Sequence, residues 1–178
     1  MANIVLISGS PAANSRLNGV LQVLERQLTE EGAQHSRISV VELPPEDLVY
    51  TKFDSPAIAA ANRLIEQADA VVVATPVYKA SYTGVLKAFL DLIPQKGLEG
   101  KVTLPVAIGG TVAHLLVIDY ALKPVLSALG ARHQLQGVYV QDSHVQRLEG
   151  GLFQVDEEIA GRIRQAAQEL VASLPNRG

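Results

Sequence analysis

The chain has 178 residues, 48% of them apolar, with 18 acidic against 15 basic side chains, a net charge of −3 and a pI near 5.8. That length suits one domain, 1–178, with a proper core. The mild acidity gives no field for nucleic acid or an anionic membrane, and no apolar run reaches the roughly 18 residues a membrane span requires. The absence of cysteine excludes disulfides, thiolate nucleophiles and cysteine metal sites.

The N-terminus has no basic stretch and runs directly into a strand, which argues against a signal peptide and makes the cytoplasm the expected location. Asn3 to Ser8 reads as a buried strand, because consecutive Ile, Val and Leu suit a parallel strand covered on both faces. Gly9-Ser10-Pro11 ends it. Leu17, Val20, Leu21, Leu24 and Leu28 then fall at helical spacing up to a stop at Gly32. A second strand is expected over Gln34 to Leu43, closed by Pro44-Pro45, and a connector over Glu46 to Phe53. Ser55-Pro56 marks the start of a helix running to about Gln67. A third strand, Ala70 to Ala74, leads through Thr75-Pro-Val-Tyr-Lys-Ala-Ser-Tyr-Thr-Gly84 into a helix from Val85 to Ile93, which Pro94 ends. Lys101 to Ile108 is the fourth strand, followed by Gly109-Gly110-Thr111 and a long helix from about Val112 to Leu129. Pro124 cannot donate to the carbonyl of Tyr120, so a kink or π-bulge is expected near Tyr120. Leu135 to Val140 is the fifth strand, Gln141 to Phe153 a polar loop, and Asp156 to Leu174 a last amphipathic helix.

Alternating strands and helices imply α/β architecture: a parallel sheet with helices on both faces and right-handed crossovers. Five strands suggest the flavodoxin-like three-layer sandwich, order 2-1-3-4-5, with the ligand crevice where the order reverses, between strands one and three. The loops after strands one and three flank that crevice.

Ser8-Gly-Ser-Pro-Ala-Ala-Asn-Ser-Arg16 combines hydroxyls, backbone amides, a helix start and a guanidinium, which suits a phosphomonoester. The same loop also reads as an ordinary turn in which Ser15 merely caps the helix. It has neither the Gly-x-Gly-x-x-Gly nor the P-loop pattern, which disfavours a Rossmann dehydrogenase and a P-loop NTPase. Pro76, Val77, Tyr78 and Lys79 offer a backbone-and-apolar lining for one edge of a flat heteroaromatic ring, and the glycines at 109 and 110 let backbone approach the same ring. His35, His114, His133 and His144 have no metal-ligand spacing, and only His114 lies near the crevice. A Gly-x-Ser-x-Gly elbow and the acidic cluster of a receiver domain are both missing.

Gly9-Ser-Pro, Thr75 to Lys87 with Asp91 following, and Gly109-Gly-Thr-Val-Ala-His114 together resemble the NAD(P)H-dependent FMN reductases of the flavodoxin-like superfamily. The likeness is closest to the reductase component of two-component alkanesulfonate monooxygenase systems, and it extends through Tyr50 to Pro56 and Asp119 to Leu129. The resemblance implies an enzyme that takes hydride from NADPH, reduces FMN and hands reduced flavin to a flavin-dependent monooxygenase in sulfur assimilation. It places Ser10, Ser15 and Arg16 on the FMN phosphate, Pro76 to Lys79 along the isoalloxazine, and Gly109, Gly110 and Thr111 at its other side. No residue is implied as a catalytic acid or base, and no metal. Arg16 and Lys79 are the cations available for the NADPH phosphate. The resemblance further implies a homotetramer or dimer, with Tyr120 on a π-helix at the subunit contact, assisting flavin release. A quinone or azo-dye reductase with tightly held FMN, and a flavodoxin-type electron carrier, are the competing readings.

Overall fold

The computed structural model describes residues 1–175. Its sheet contains β1 (Asn3–Ser8), β2 (Gln34–Ser39), β3 (Ala70–Pro76) and β4 (Val102–Gly109), followed by a fifth position shared by β5 (His133–Gln134) and β6 (Val138–Gln141). The order is β2-β1-β3-β4-β5, with β6 continuing beside β4, and every pairing is parallel. This is the flavodoxin-like order expected from the sequence.

The unbroken apolar runs follow from covering both faces of the sheet. On one face Ile4, Leu6, Val72 and Val106 pack with α1 (Leu17–Glu30) and α6 (Glu157–Ala172). On the other, Val5, Ile7, Val71 and Val73 meet α3 (Pro56–Gln67), α4 (Gly84–Leu90) and α5 (Lys123–Ala128). Period-two alternation therefore sends each hydrophobic residue to a core, whichever way it points.

Several boundaries differ from expectation. The second strand stops at Ser39, and Val40–Glu42 forms a 3₁₀ turn. The supposed connector contains α2 (Pro45–Val49), with Pro45 at its start and Glu46 and Asp47 in its first turn. The helix after β3 occupies Gly84–Leu90 rather than reaching Ile93. The polar loop carries β7 (Val145–Arg147) and β8 (Phe153–Val155), an antiparallel hairpin.

The fifth strand is broken, for a reason that lies in its neighbour. Thr103 pairs with Gln134 and Val106 with Val138, so two residues of β4 face three of the partner. One of those two is Pro105, and the carbonyl of Thr103, which points the same way, accepts from Leu135 N–H. Pro105 therefore turns its donorless nitrogen toward the fifth strand, and the strand bulges there. Gly137 completes the bulge at φ 92°.

The long helix after β4 is also segmented. A 3₁₀ turn at Val112–His114 precedes a π-helical segment, Ile118–Leu122, in which Lys123 N–H reaches back five residues to Ile118 O. α5 then begins with Pro124 in its first turn, where no donor is needed. The π-bulge expected at Tyr120 is present. Among the described residues no helix is long and apolar enough to cross a membrane.

Candidate active site

The loops after β1, β3 and β4 meet at the carboxyl ends of their strands and are tied together by backbone and threonine hydroxyls. Gly9 N–H donates to Ala74 O at 2.8 Å, and Val77 N–H to Ile108 O at 2.8 Å. Buried Thr83 donates its hydroxyl to Gly9 O at 2.5 Å and accepts from Leu86 N–H at 3.1 Å, so one side chain caps α4 and holds the first loop. Thr75, also buried, donates to Pro76 O and accepts from Thr83 N–H. α4 packs so closely on the first loop that a Cβ at Gly9 would lie 2.7 Å from Leu86 Cβ.

In the loop from Ser10 to Arg16 the carbonyls from Ala12 onward are occupied. Ala12 O accepts from Ser15 N–H and Ser10 Oγ, Ala13 O from Asn18 Nδ2, Asn14 O from Arg147 Nε, Ser15 O from Asn18 N–H and Arg16 O from Gly19 N–H. The N–H groups of Ser10, Ala13, Asn14 and Arg16, in contrast, have no partner among the described residues. Unpaired amides beside two serine hydroxyls and the start of α1 form a concave donor set, the arrangement that accepts an anion. Ser10 and Ser15 are buried in it, and Ser15 Oγ also accepts from Leu17 N–H. Ser15 Oγ thus serves the start of α1 from one residue before its N-cap position, Arg16, which makes no side-chain cap of its own. Arg16 Nε donates to Val145 O at 2.9 Å, across to the hairpin.

Beyond Pro76, Tyr78 and Ser81 exchange backbone hydrogen bonds at 2.9 and 3.1 Å, closing a two-residue turn. Its central residues, Lys79 and Ala80, lie at φ 49° and 65°, the left-handed region that a type I′ turn demands and that normally selects Asn-Gly. Tyr78 is 48% exposed, and Lys79 has no partner among the described residues.

On the facing loop, Gly109 is buried within β4 with Val77 and the Tyr139 hydroxyl against it. Gly110, Thr111 and Val112 follow with successive N–H groups that have no partner among the described residues. Tyr139 steadies this loop by donating to Thr111 O at 2.6 Å, and burial raises the pKa of its phenol above the ordinary value. A cavity of about 470 Å³ opens between Ala80 of one loop and Ala113, His114, Val117 and Tyr120 of the other. A second, of about 570 Å³, lies beside the first loop under Gly151 and Phe153.

Ser10, Ser15, Pro76 to Lys79 and Gly109 to Thr111 are therefore brought to one end of the sheet, with His114 beside them. His35 contacts Thr29, and His144 pairs with Asp156. Thr75, Thr83, Asn18 and Arg147 were not singled out from sequence. Only Thr83 left a local sign there, as a hydroxyl residue immediately before a helix.

The NADPH-dependent FMN reductase family matches residues 2–145. The chain is 49% identical over 142 residues to an FMN reductase (NADPH) of Escherichia coli K12, covering 80% of this chain and 74% of that one. It is 46% identical over 147 residues to an FMN reductase (NADPH) of Pseudomonas putida KT2440, covering 83% and 75%. Among solved structures, an apo NADH:FMN oxidoreductase (EMOB) superimposes with a TM-score of 0.87 at 37% identity, covering 99% of this chain and 92% of that one. The chain belongs to the NADPH-dependent FMN reductase family and is an oxidoreductase that works with FMN and NADPH.

Proposed function

We propose that this enzyme, as a single domain, treats FMN as a substrate that enters, is reduced and leaves to serve a flavin-dependent sulfonate monooxygenase. The observation that supports this most is the openness of the ring end of the site. Tyr78, Lys79, Ala80, Gly110 and Thr111 are all exposed.

FMN, when bound, supplies the hydride-accepting ring, so the protein's work is binding, orientation and access. Ser10, Ser15 and the free amides of the first loop hold the phosphate, with Arg16 at the edge. Pro76, Val77, Tyr78 and Lys79 line one edge of the ring system. Gly110, Thr111 and Val112 would meet the ring system from the other side, where their free amides would favour negative charge on it. With Arg16 Nε occupied by Val145, Lys79 is the stronger candidate for the NADPH 2′-phosphate.

The enzyme assembles as a homotetramer or dimer through the π segment, with Tyr120 at the contact assisting flavin release. Tyr120→Ala is expected to change both FMN retention and reductase turnover. Unchanged values for both would remove Tyr120 from this role.

The decisive measurement is the initial rate of NADPH oxidation by flavin-depleted enzyme as FMN is added. Saturation only at FMN well above the enzyme concentration supports the substrate reading. A plateau at one FMN per subunit, with further turnover only on adding a quinone or azo dye, makes FMN a prosthetic group and overturns it.

A further inference from the structure

The family match ends at Val145, where the chain turns back over the first loop. The β7–β8 hairpin, in register from Val145↔Val155 to Arg147↔Phe153, sits directly on the first turns of α1. A Cβ at Gly19 would fall 2.8 Å from both Phe153 Cβ and Val145 Cγ1. At the base, Asp156 N–H donates to His144 O at 3.0 Å, and His144 Nδ1 lies 2.8 Å from Asp156 Oδ2. Two arginines cross the seam in opposite directions. Arg16 Nε runs from the loop to Val145 O at 2.9 Å, and Arg147 Nε from the hairpin to Asn14 O at 2.8 Å.

A loop that offers amides to an anion must turn carbonyls outward, and those carbonyls need donors of their own. From Ala12 to Arg16 the donors come from the loop itself or from α1, with one exception. Asn14 O takes its donor from Arg147, 133 residues further along the chain. The Asn14–Ser15 peptide, whose N–H donates to Ala12 O at 3.2 Å within the loop, is thus the one unit of the cradle with its carbonyl held from outside. Its two hydrogen bonds fix the stretch of backbone between the free amides of Asn14 and Arg16.

We propose that Arg147 is a positioning residue for phosphate recognition, and that the 145–155 hairpin, by holding Asn14 O, keeps the free amides of Asn14 and Arg16 on either side of it turned toward the anion while Arg16 straps the hairpin down. This rests on the assignment of the FMN phosphate to the first loop.

FMN and riboflavin differ by that phosphate, so their separate titration into flavin-free protein, read by quenching of flavin fluorescence, isolates the effect. Arg147→Ala is expected to raise the Kd for FMN about three- to ten-fold, as for loss of one charge-assisted hydrogen bond at an exposed site, and that for riboflavin less than two-fold. Arg147→Lys should recover part of the loss. Gly19→Ala, whose added methyl crowds Val145 and Phe153, should follow Arg147→Ala. An unchanged FMN Kd in Arg147→Ala, or an equal rise for both flavins, overturns the positioning role. If the unmodified protein binds riboflavin as tightly as FMN, the premise falls and the proposal with it, a failure distinguishable from the others because it needs no variant.

Discussion

The loops after β1 and β3 border the same site but are held in opposite ways. The first is held in part from outside: Thr83 secures Gly9 O, Asn18 secures Ala13 O, and Arg147 secures Asn14 O, while Ala12 O is served from within the loop. The second holds itself, through the reciprocal Tyr78–Ser81 bonds, at the expense of two non-glycine residues at positive φ. The difference follows from what each must present. A loop that keeps amides free for an anion has fewer donors of its own for its carbonyls, so side chains from elsewhere supply some of them. A loop that offers a ring-sized edge keeps its own hydrogen bonds and stores strain of roughly 1–2 kcal/mol per left-handed residue instead.

If the first loop depends on outside donors, removing the most buried of them should have the largest effect. Thr83→Ala deletes the cap of α4 and leaves Gly9 O without its donor inside the core. The expected cost is about 2–3 kcal/mol, lowering Tm by roughly 5–10 °C in a chain of this size. A change of less than a degree in a thermal melt would mean that the first loop braces itself after all.

Tyr139 tests the third member of the site, the loop after β4, which is also braced from outside. Tyr139→Phe removes the donor to Thr111 O and should cost about 1 kcal/mol at neutral pH. The pH dependence has a definite sign. Burial raises the folded phenol pKa above its unfolded value near 10, so this contribution is complete below about pH 10 and is lost as pH rises through the folded value. The gap between the two proteins in urea midpoint should therefore narrow above pH 10. A gap that stays constant or widens there contradicts the assignment.

What could be read from the sequence was what is decided locally. The apolar run of β1, the Ser55-Pro56 start of α3 and the clash that Pro124 forces on the turn around Tyr120 each depend on a few neighbouring residues, and each is present in the structure. The break in the fifth strand was not legible, because its cause, Pro105, belongs to another strand. α2 escaped notice because it has barely more than one turn, although Pro45, Glu46 and Asp47 spell a helix start. The same division runs through the site. Ser10 and Ser15 lie buried in the loop after β1, whereas the donation of Arg16 to Val145 and of Arg147 to Asn14 exists only once the hairpin folds back. Spacing along the chain carries no trace of such partners.

The self-held loop calls for the opposite kind of test, a substitution that relieves rather than removes. Ala80 sits at φ 65°, where glycine is unstrained. Ala80→Gly should recover about 1–2 kcal/mol of strain and return roughly 0.5–1 kcal/mol through the greater freedom of the unfolded chain, a net gain of about 0.5 kcal/mol. Because Ala80 faces the ring-side cavity and makes no contact with the first loop's donors, the ratio of FMN to riboflavin affinity should stay fixed. This is the converse of what Arg147→Ala is expected to do. Ala80→Val provides the reverse sign, since a β-branched residue tolerates this φ least, and should be destabilising in the same denaturant titration. If glycine destabilised and valine did not, the Lys79–Ala80 turn would not be the strained element, and the contrast between a loop braced by others and a loop that braces itself would lose its second half.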